Sequence, residues 1–256
     1  MTGKYDPIKI LLIDIESAPA LAYIWDLKTR YVPLSQIDRD GYMLCFAAAW
    51  LGSDDVYFSS RWEHGEQNMV EAAWELLDEA DAIIHYNGNS FDIPRLNAEF
   101  FKYKMGPPSP SHQVDLYRCV AGNFRVLSKS MQHMLLLAGH EGKLEHKGME
   151  LWTDVMAGKK PAERVMEQYN IQDVTELENL YQDLLPWIKN APNQALYTKP
   201  GSKKMCRCGS TKLRFKGYKR TSVMSYRQYH CQNCGAYPRE RFAVETGTKR
   251  RSDILT

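Results

Sequence analysis

The 256-residue sequence is 44% hydrophobic and 25% charged, ordinary values for a packed globular chain that exclude a disordered or fibrous one. Its net charge of +2 conceals an asymmetry: residues 1–198 hold 18 Lys and Arg against 28 Asp and Glu (net −10), and residues 199–256 hold 15 against 3 (net +12). No stretch reaches the roughly 18 uninterrupted apolar residues of a membrane span, and Met1 to Lys9 has no charged region followed by an apolar one, so a cytoplasmic protein is expected.

In chain order, Ile8 to Ile15 reads as a buried central strand, followed by strands at Met43 to Trp50, Asp55 to Ser59, Ala82 to Tyr86 and Gln113 to Leu116. Helical patterns cover Asn68 to Ala80, Ile93 to Lys104, Lys129 to Leu137 and Ala162 to Trp187. This order suggests an α/β fold with a mixed sheet flanked by helices. Pro186, Pro192 and Pro200, with Gly201 and Ser202, break the long helical segment. The expected division is a core domain over 1–198 and a basic module over 199–256, with a frayed end from Gly247 to Thr256.

Acidic groups recur at element ends. In Asp14-Ile15-Glu16 a period of two puts both carboxylates on one face, where burial is costly unless a cation or a basic partner compensates. Asp92 ends Asn87-Gly88-Asn89-Ser90-Phe91-Asp92 at a strand-to-helix turn, where it also fits as a plain helix cap. Asp115, closing a strand, reads as a turn cap or a partner of Arg118. Tyr169 and Asp173 stand one helical turn apart on one face, a spacing equally common on ordinary helix surfaces.

Taken together, the three segments resemble the DnaQ-like, or DEDD, 3′–5′ exonucleases, in the DEDDy subgroup whose third motif is Tyr-x-x-x-Asp. That family reads Asp-x-Glu, then Asn-x-x-x-Phe-Asp, then Tyr-x-x-x-Asp, and residues 8–190 carry all three in order. The setting Asp14-Ile15-Glu16-Ser17-Ala18-Pro19 is similar to that of stand-alone, often phage-encoded exonucleases. The resemblance implies a ribonuclease H-like, five-stranded mixed sheet and two Mg²⁺ or Mn²⁺ ions. Asp14 would bridge both ions, Glu16 and Asp173 would complete the first site, Asp92 would hold the second, and Tyr169 would orient the attacking water. Asn87 and Phe91 would shape the second motif against nucleic acid, and Tyr23 and Trp25 are either stacking positions or core. The implied substrate is a single-stranded or frayed 3′ end, DNA preferred, with replication or recombination proteins as candidate partners. Two other readings compete: a ribonuclease H-fold endonuclease or transposase-like nuclease, and a non-catalytic nucleic-acid-binding or processivity module.

Of the six cysteines, Cys45 and Cys119 stand alone and read as core, whereas Cys206, Cys208, Cys231 and Cys234 form two knuckle-like pairs. Four thiolates suit one structural Zn²⁺ in a zinc ribbon, which a segment this short needs in order to fold. The first pair has one intervening residue instead of two, so His230 stands as a substitute ligand for Cys206. Lys212, Arg214, Lys216, Lys219, Arg220 and Arg227 alternate with Phe215, Tyr218, Tyr226 and Tyr229, a pattern suited to nucleic acid.

Overall fold

β1 (Ile10–Ala18) is buried at every position except Asp14 and Ser17, as a strand covered on both faces must be. The computed structural model describes residues 6–141, 148–199, 201 and 203–244; the expected frayed end and the linker residues Pro200 and Ser202 lie outside them. After β1 come a short pair, β2 (Leu21–Ala22) and β3 (Ile37–Arg39), then β4 (Tyr42–Trp50), β5 (Val56–Ser60), α1 (Glu66–Glu79), β6 (Ala82–His85), α2 (Asp92–Lys102) and β7 (His112–Asp115). Four helices follow: α3 (Leu116–Asn123), α4 (Met131–Ala138), α5 (Met149–Met156) and α6 (Lys160–Leu184).

The five-stranded sheet has the order β5-β4-β1-β6-β7. β4 and β5 are antiparallel to their neighbours, and β6 and β7 run parallel to β1, so the sheet is mixed as expected. Leu11, Ile13 and Ile15 pack with Met69, Val70 and Ala73 of α1 and Leu96 and Phe100 of α2. Cys45, opposite Glu16 in the register, packs instead with Leu151 and Val155 of α5 and Met166 and Tyr169 of α6. A buried aliphatic side chain contributes roughly 1.5–3 kcal/mol. A one-residue slip of β1 would therefore be expensive, and it would turn Asp14 and Glu16 into the apolar α1–α2 layer.

The chain clusters into two units, Lys9–Tyr181 and a second that joins Met1–Ile8 to Gln182–Thr256. In the second, β8 (Leu213–Arg220) pairs antiparallel with β9 (Ser225–Cys231), with a bulge between Phe215 and Gly217. The following segment lines the other edge of β9: the amide of Tyr229 donates to the Pro238 carbonyl at 2.9 Å and that of Glu240 to the Arg227 carbonyl at 2.9 Å. Its small core consists of Cys206, Cys231, Cys234 and Ala236, packed against Leu185 and Leu213. Among the described residues no helix is long and apolar enough to cross a membrane.

Candidate active site

β1 outruns its parallel neighbour. The β1–β6 register ends at Leu12↔Ile84, so beyond Leu12 the strand is flanked by β4 alone, and Asp14 and Glu16 sit on this overhang opposite Ala47 and Cys45. The small side chains of Ala47 and Cys45 leave room on the carboxylate face, and a bulge directly after Glu16 turns the strand away. α6 supplies the third acid: one carboxylate oxygen each of Asp14, Glu16 and Asp173 lie within 4.8 Å of one another. Three anions this close repel in proportion to their burial, and Asp173 is only 2% exposed. Their oxygens are hard donors at a spacing suited to a small divalent cation.

Asp92 opens α2 without capping it: Phe91 is the cap residue, and no side chain caps that helix. The helix-cap reading is thereby corrected. Because β6 has ended, the amide of Ile15 lacks a ladder partner on that side, and it donates to Asp92 Oδ1 at 3.2 Å. The carboxylate, 4% exposed, is thus pinned to the peptide between Asp14 and Glu16.

On α6 the side chain next to Tyr169 has a role that the sequence reading missed. Asn170 is fully buried, and its Nδ2 donates to Asp14 Oδ2 at 2.8 Å and to the Asp14 carbonyl at 3.2 Å. It lies at i, i+3 to Asp173, so one helix face both contributes an acid and holds another. Tyr169 packs edge-on against Trp152, ring centroids 6.3 Å apart. Burial first, then the charges of Asp173, Glu16 and Asp14, raise its hydroxyl pKa far above the ordinary value, so the phenol stays protonated and can donate. Burial, then Glu16 and Asp14, likewise raise the Cys45 thiol.

The turn carrying the second motif is braced from below. His85 is fully buried, and burial lowers its pKa against the opposing pull of Asp115. In its neutral form Nδ1 accepts the Gly88 amide at 3.0 Å while Nε2 faces Gln113 Oε1 at 3.1 Å. Asn87 adopts φ 64°, a left-handed conformation that Asn tolerates, and its amide donates to Asp115 Oδ1 at 2.9 Å. Asp115 also caps α3 through the Tyr117 amide and lies 3.8 Å from Arg118, which makes it a brace in line with its turn-cap reading.

One cavity, of about 480 Å³, is lined in part by Asp14, with Tyr86, Asn87, Tyr117, Lys129 and Gln132. A second, of about 370 Å³, is lined by Ser17 and Phe91, the residues next in sequence to Glu16 and Asp92, with Pro19, Arg95 and Trp152. Phe91 is half exposed, and Tyr23 and Trp25 are 72% and 95% exposed, outside any core. Cys119, expected in the core, is only partly buried on α3.

In the second unit the four cysteines converge. Cys206 Sγ lies 3.7 Å from Cys234 Sγ, Cys208 Sγ lies 3.7 Å from Cys231 Sγ, and all four sulfurs fall within 4.8 Å of one another. A tetrahedron with Zn–S bonds of about 2.3 Å has edges of about 3.8 Å, so the donor set fits a structural Zn²⁺. Gly209 and Gly235 follow the pairs at φ 80° and 68°, turning each knuckle. The four thiols do not shift together: at Cys231 burial is outweighed by the Cys234 and Asn233 amides, which bring the group down to about 7, whereas burial raises Cys206 and pushes Cys234 up to about 11. His230 turns elsewhere, stacked on Tyr237 at 4.7 Å, and Cys206 occupies the position for which it was the substitute.

A comparison with curated proteins finds no match. Among solved structures the chain is similar to the family B DNA polymerase from the hyperthermophilic archaeon Pyrobaculum calidifontis. The identity is 20% and the TM-score 0.53, over 71% of this chain and 25% of that one. At this identity the likeness concerns the fold alone, and the chain spans about a quarter of the polymerase's length. The family model for the RNase H superfamily matches residues 37–185, 149 of the 256. That match runs from the start of β3 through α6, taking in the second and third acidic motifs and leaving Asp14 and Glu16 just ahead of it, and by it the chain belongs to the RNase H superfamily.

Proposed function

We propose that the chain is a metal-dependent 3′–5′ exonuclease acting on single-stranded or frayed ends, DNA in preference to RNA. The observation that carries this reading is the gathering of Asp14, Glu16 and Asp173 within 4.8 Å, with Asp92 fastened to the peptide between the first two. Asp14 would contact two Mg²⁺ or Mn²⁺ ions, Glu16 and Asp173 the first, and Asp92 the second, directly or through water. Two such ions activate a water on one side of a phosphodiester and stabilise the leaving oxygen on the other. Tyr169 would orient the attacking water; Asn87 and Phe91 would hold nucleic acid from the two cavities. The four cysteines would hold one structural Zn²⁺. Lys212, Arg214, Lys216, Lys219, Arg220 and Arg227 would then retain the phosphate backbone by charge. Polarity rests on the resemblance carried by the three ordered motifs, and the preference for DNA on the overall resemblance alone, since RNA-trimming relatives share the third motif.

The test incubates purified protein with 5′-end-labelled single-stranded DNA and RNA in Mg²⁺, Mn²⁺ or chelator, beside Asp14→Ala. A ladder that shortens progressively from the 3′ end, lost with chelator and at least about 10³-fold weaker in Asp14→Ala, is the expected result. Cleavage of a circular substrate would instead establish the endonuclease reading, and metal-independent binding without cleavage the non-catalytic one.

A further inference from the structure

The β8–β9 hairpin has two faces of different availability. Phe215 pairs with Tyr229 and Tyr218 with Arg227; Tyr229 and Arg227 are two apart on an unbroken strand, so all four side chains share one face. The bulge between Phe215 and Gly217 is what brings Phe215 and Tyr218 together, ring centroids 5.6 Å apart and planes at 84°. Tyr229, 5.8 Å from Phe215, supports them from behind and is itself tied down, its hydroxyl donating to Glu240 and accepting from Lys204. Phe215 and Tyr218 remain 50% and 45% exposed, with the exposed Arg220 and Arg227 on the same face and the exposed Lys216 at the bulge. On the opposite face Tyr226 is covered by the Arg239 guanidinium at 3.8 Å, and Tyr237 spends one ring face on His230. Phe215 and Tyr218 are thus two adjacent open rings with Arg220 and Arg227 on their face, whereas Phe242, 68% exposed, has the Arg241 guanidinium over its ring at 5.7 Å.

We propose that the Phe215–Tyr218 face is a base-stacking subsite selective for single-stranded nucleic acid. The proposal rests on the reading of the module as a nucleic-acid binder and adds what charge alone does not give. Cations along a hairpin hold any phosphate backbone, duplex included. Half-exposed rings capture bases only when the bases can leave their own stack. Two rings nearly perpendicular to one another cannot both stack on bases that are parallel and in contact, so each ring takes a splayed base, which an intact duplex does not offer. Arg227, paired across from Tyr218, and Arg220 are placed for the phosphates between.

The experiment uses the full-length chain carrying Asp14→Ala so that the probe is not cut. Affinity for fluorescently labelled oligothymidylate and for a blunt hairpin duplex is measured at fixed salt, with zinc content determined for every variant. Phe215→Ala and Tyr218→Ala should each weaken oligothymidylate binding about tenfold and leave duplex affinity nearly unchanged. Phe215→Trp and Tyr218→Phe should bind like the parent, as should Tyr237→Ala. If an alanine variant loses zinc, Phe215→Leu and Tyr218→Leu keep the apolar bulk and should show the same loss of stacking. The proposal is overturned if the ring-deleted variants keep full affinity, if single strand and duplex weaken together, or if Tyr237→Ala costs as much as either. Hydrolysis by the unmutated chain reports separately on the exonuclease reading: a chain that binds in this way without cutting retains the subsite, and one that cuts but ignores ring loss does not.

Discussion

Asn170 shows how a helix can set the geometry of an acid it does not carry. Its amide group grips both the carboxylate and the carbonyl of Asp14, so the side chain on which the cluster depends is fixed in place from α6. Removing a hydrogen-bonding partner of a metal ligand commonly costs 10–100-fold in metal affinity or activity. Asn170→Ala should therefore raise the Mg²⁺ concentration for half-maximal hydrolysis by about that factor, with a smaller change at saturating metal. A metal titration of initial rates checks this, and an unchanged half-saturation would mean that Asp14 needs no such hold. Nothing in the sequence singled Asn170 out, because its partner lies 156 residues earlier. The three clustered acids were legible because two strict local spacings, Asp-x-Glu and Tyr-x-x-x-Asp, survive translation into strand and helix geometry. Lys129 and Arg95, which line the two cavities, belong to no such pattern.

Among the elements, the turn between β6 and α2 is the least forgiving. A Cβ on Gly88 would sit 2.4 Å from His85 Cγ and 2.7 Å from Nδ1, against a ring locked on both sides. Gly88→Ala should destabilise the core unit by about 1–3 kcal/mol through overpacking and move the Asn87 turn with it. The denaturant midpoint and the hydrolysis rate should thus fall together. On the proposed zinc reading the knuckles behave differently, since so small a core would depend on its metal. One Zn²⁺ per chain is expected by elemental analysis, and Cys208→Ser or Cys234→Ser should abolish it and release the β8–β9 tyrosines to solvent, read by near-ultraviolet circular dichroism. The long elements could be read from periodicity with ends shifted by up to three residues. Missed were α3 and α5, eight residues each, and the short pair β2 and β3, of two and three residues. α4 is as short but was legible from its apolar-rich run Met131 to Ala138, whereas α3 starts from an Asp115 cap rather than from any pattern of its own.

For the whole molecule the governing quantity is the charge division, net −10 over residues 1–198 and net +12 over 199–256. Affinity for single strands should fall log-linearly with salt at about 0.7 per phosphate contacted. Replacing Lys216, Lys219 and Arg220 together by Gln should flatten that slope by about 2 and weaken binding at low salt. Salt titrations of parent and variant test this, and an unaltered slope would mean that these cations do not meet phosphates. The mixed sheet itself could be anticipated from strand order and composition, but its membership of the RNase H superfamily could not. Many folds share strands followed by helices, and only the motifs, through a resemblance, chose among them.

The overhang of β1 past β6 gives Asp92 two employments at once. It accepts the unpaired amide of a strand end, and on the proposed reading it is also the fourth acid. Truncation to Ala would orphan a buried amide as well as delete a charge, so loss of activity in that variant says little about chemistry. Asp92→Asn keeps an acceptor for Ile15 and removes only the charge, and it should fold like the parent while hydrolysis collapses. The architecture thus leaves this position little latitude, since any side chain other than a short acceptor leaves the Ile15 amide buried without its partner, at a cost of about 1–3 kcal/mol, before the reaction is reached.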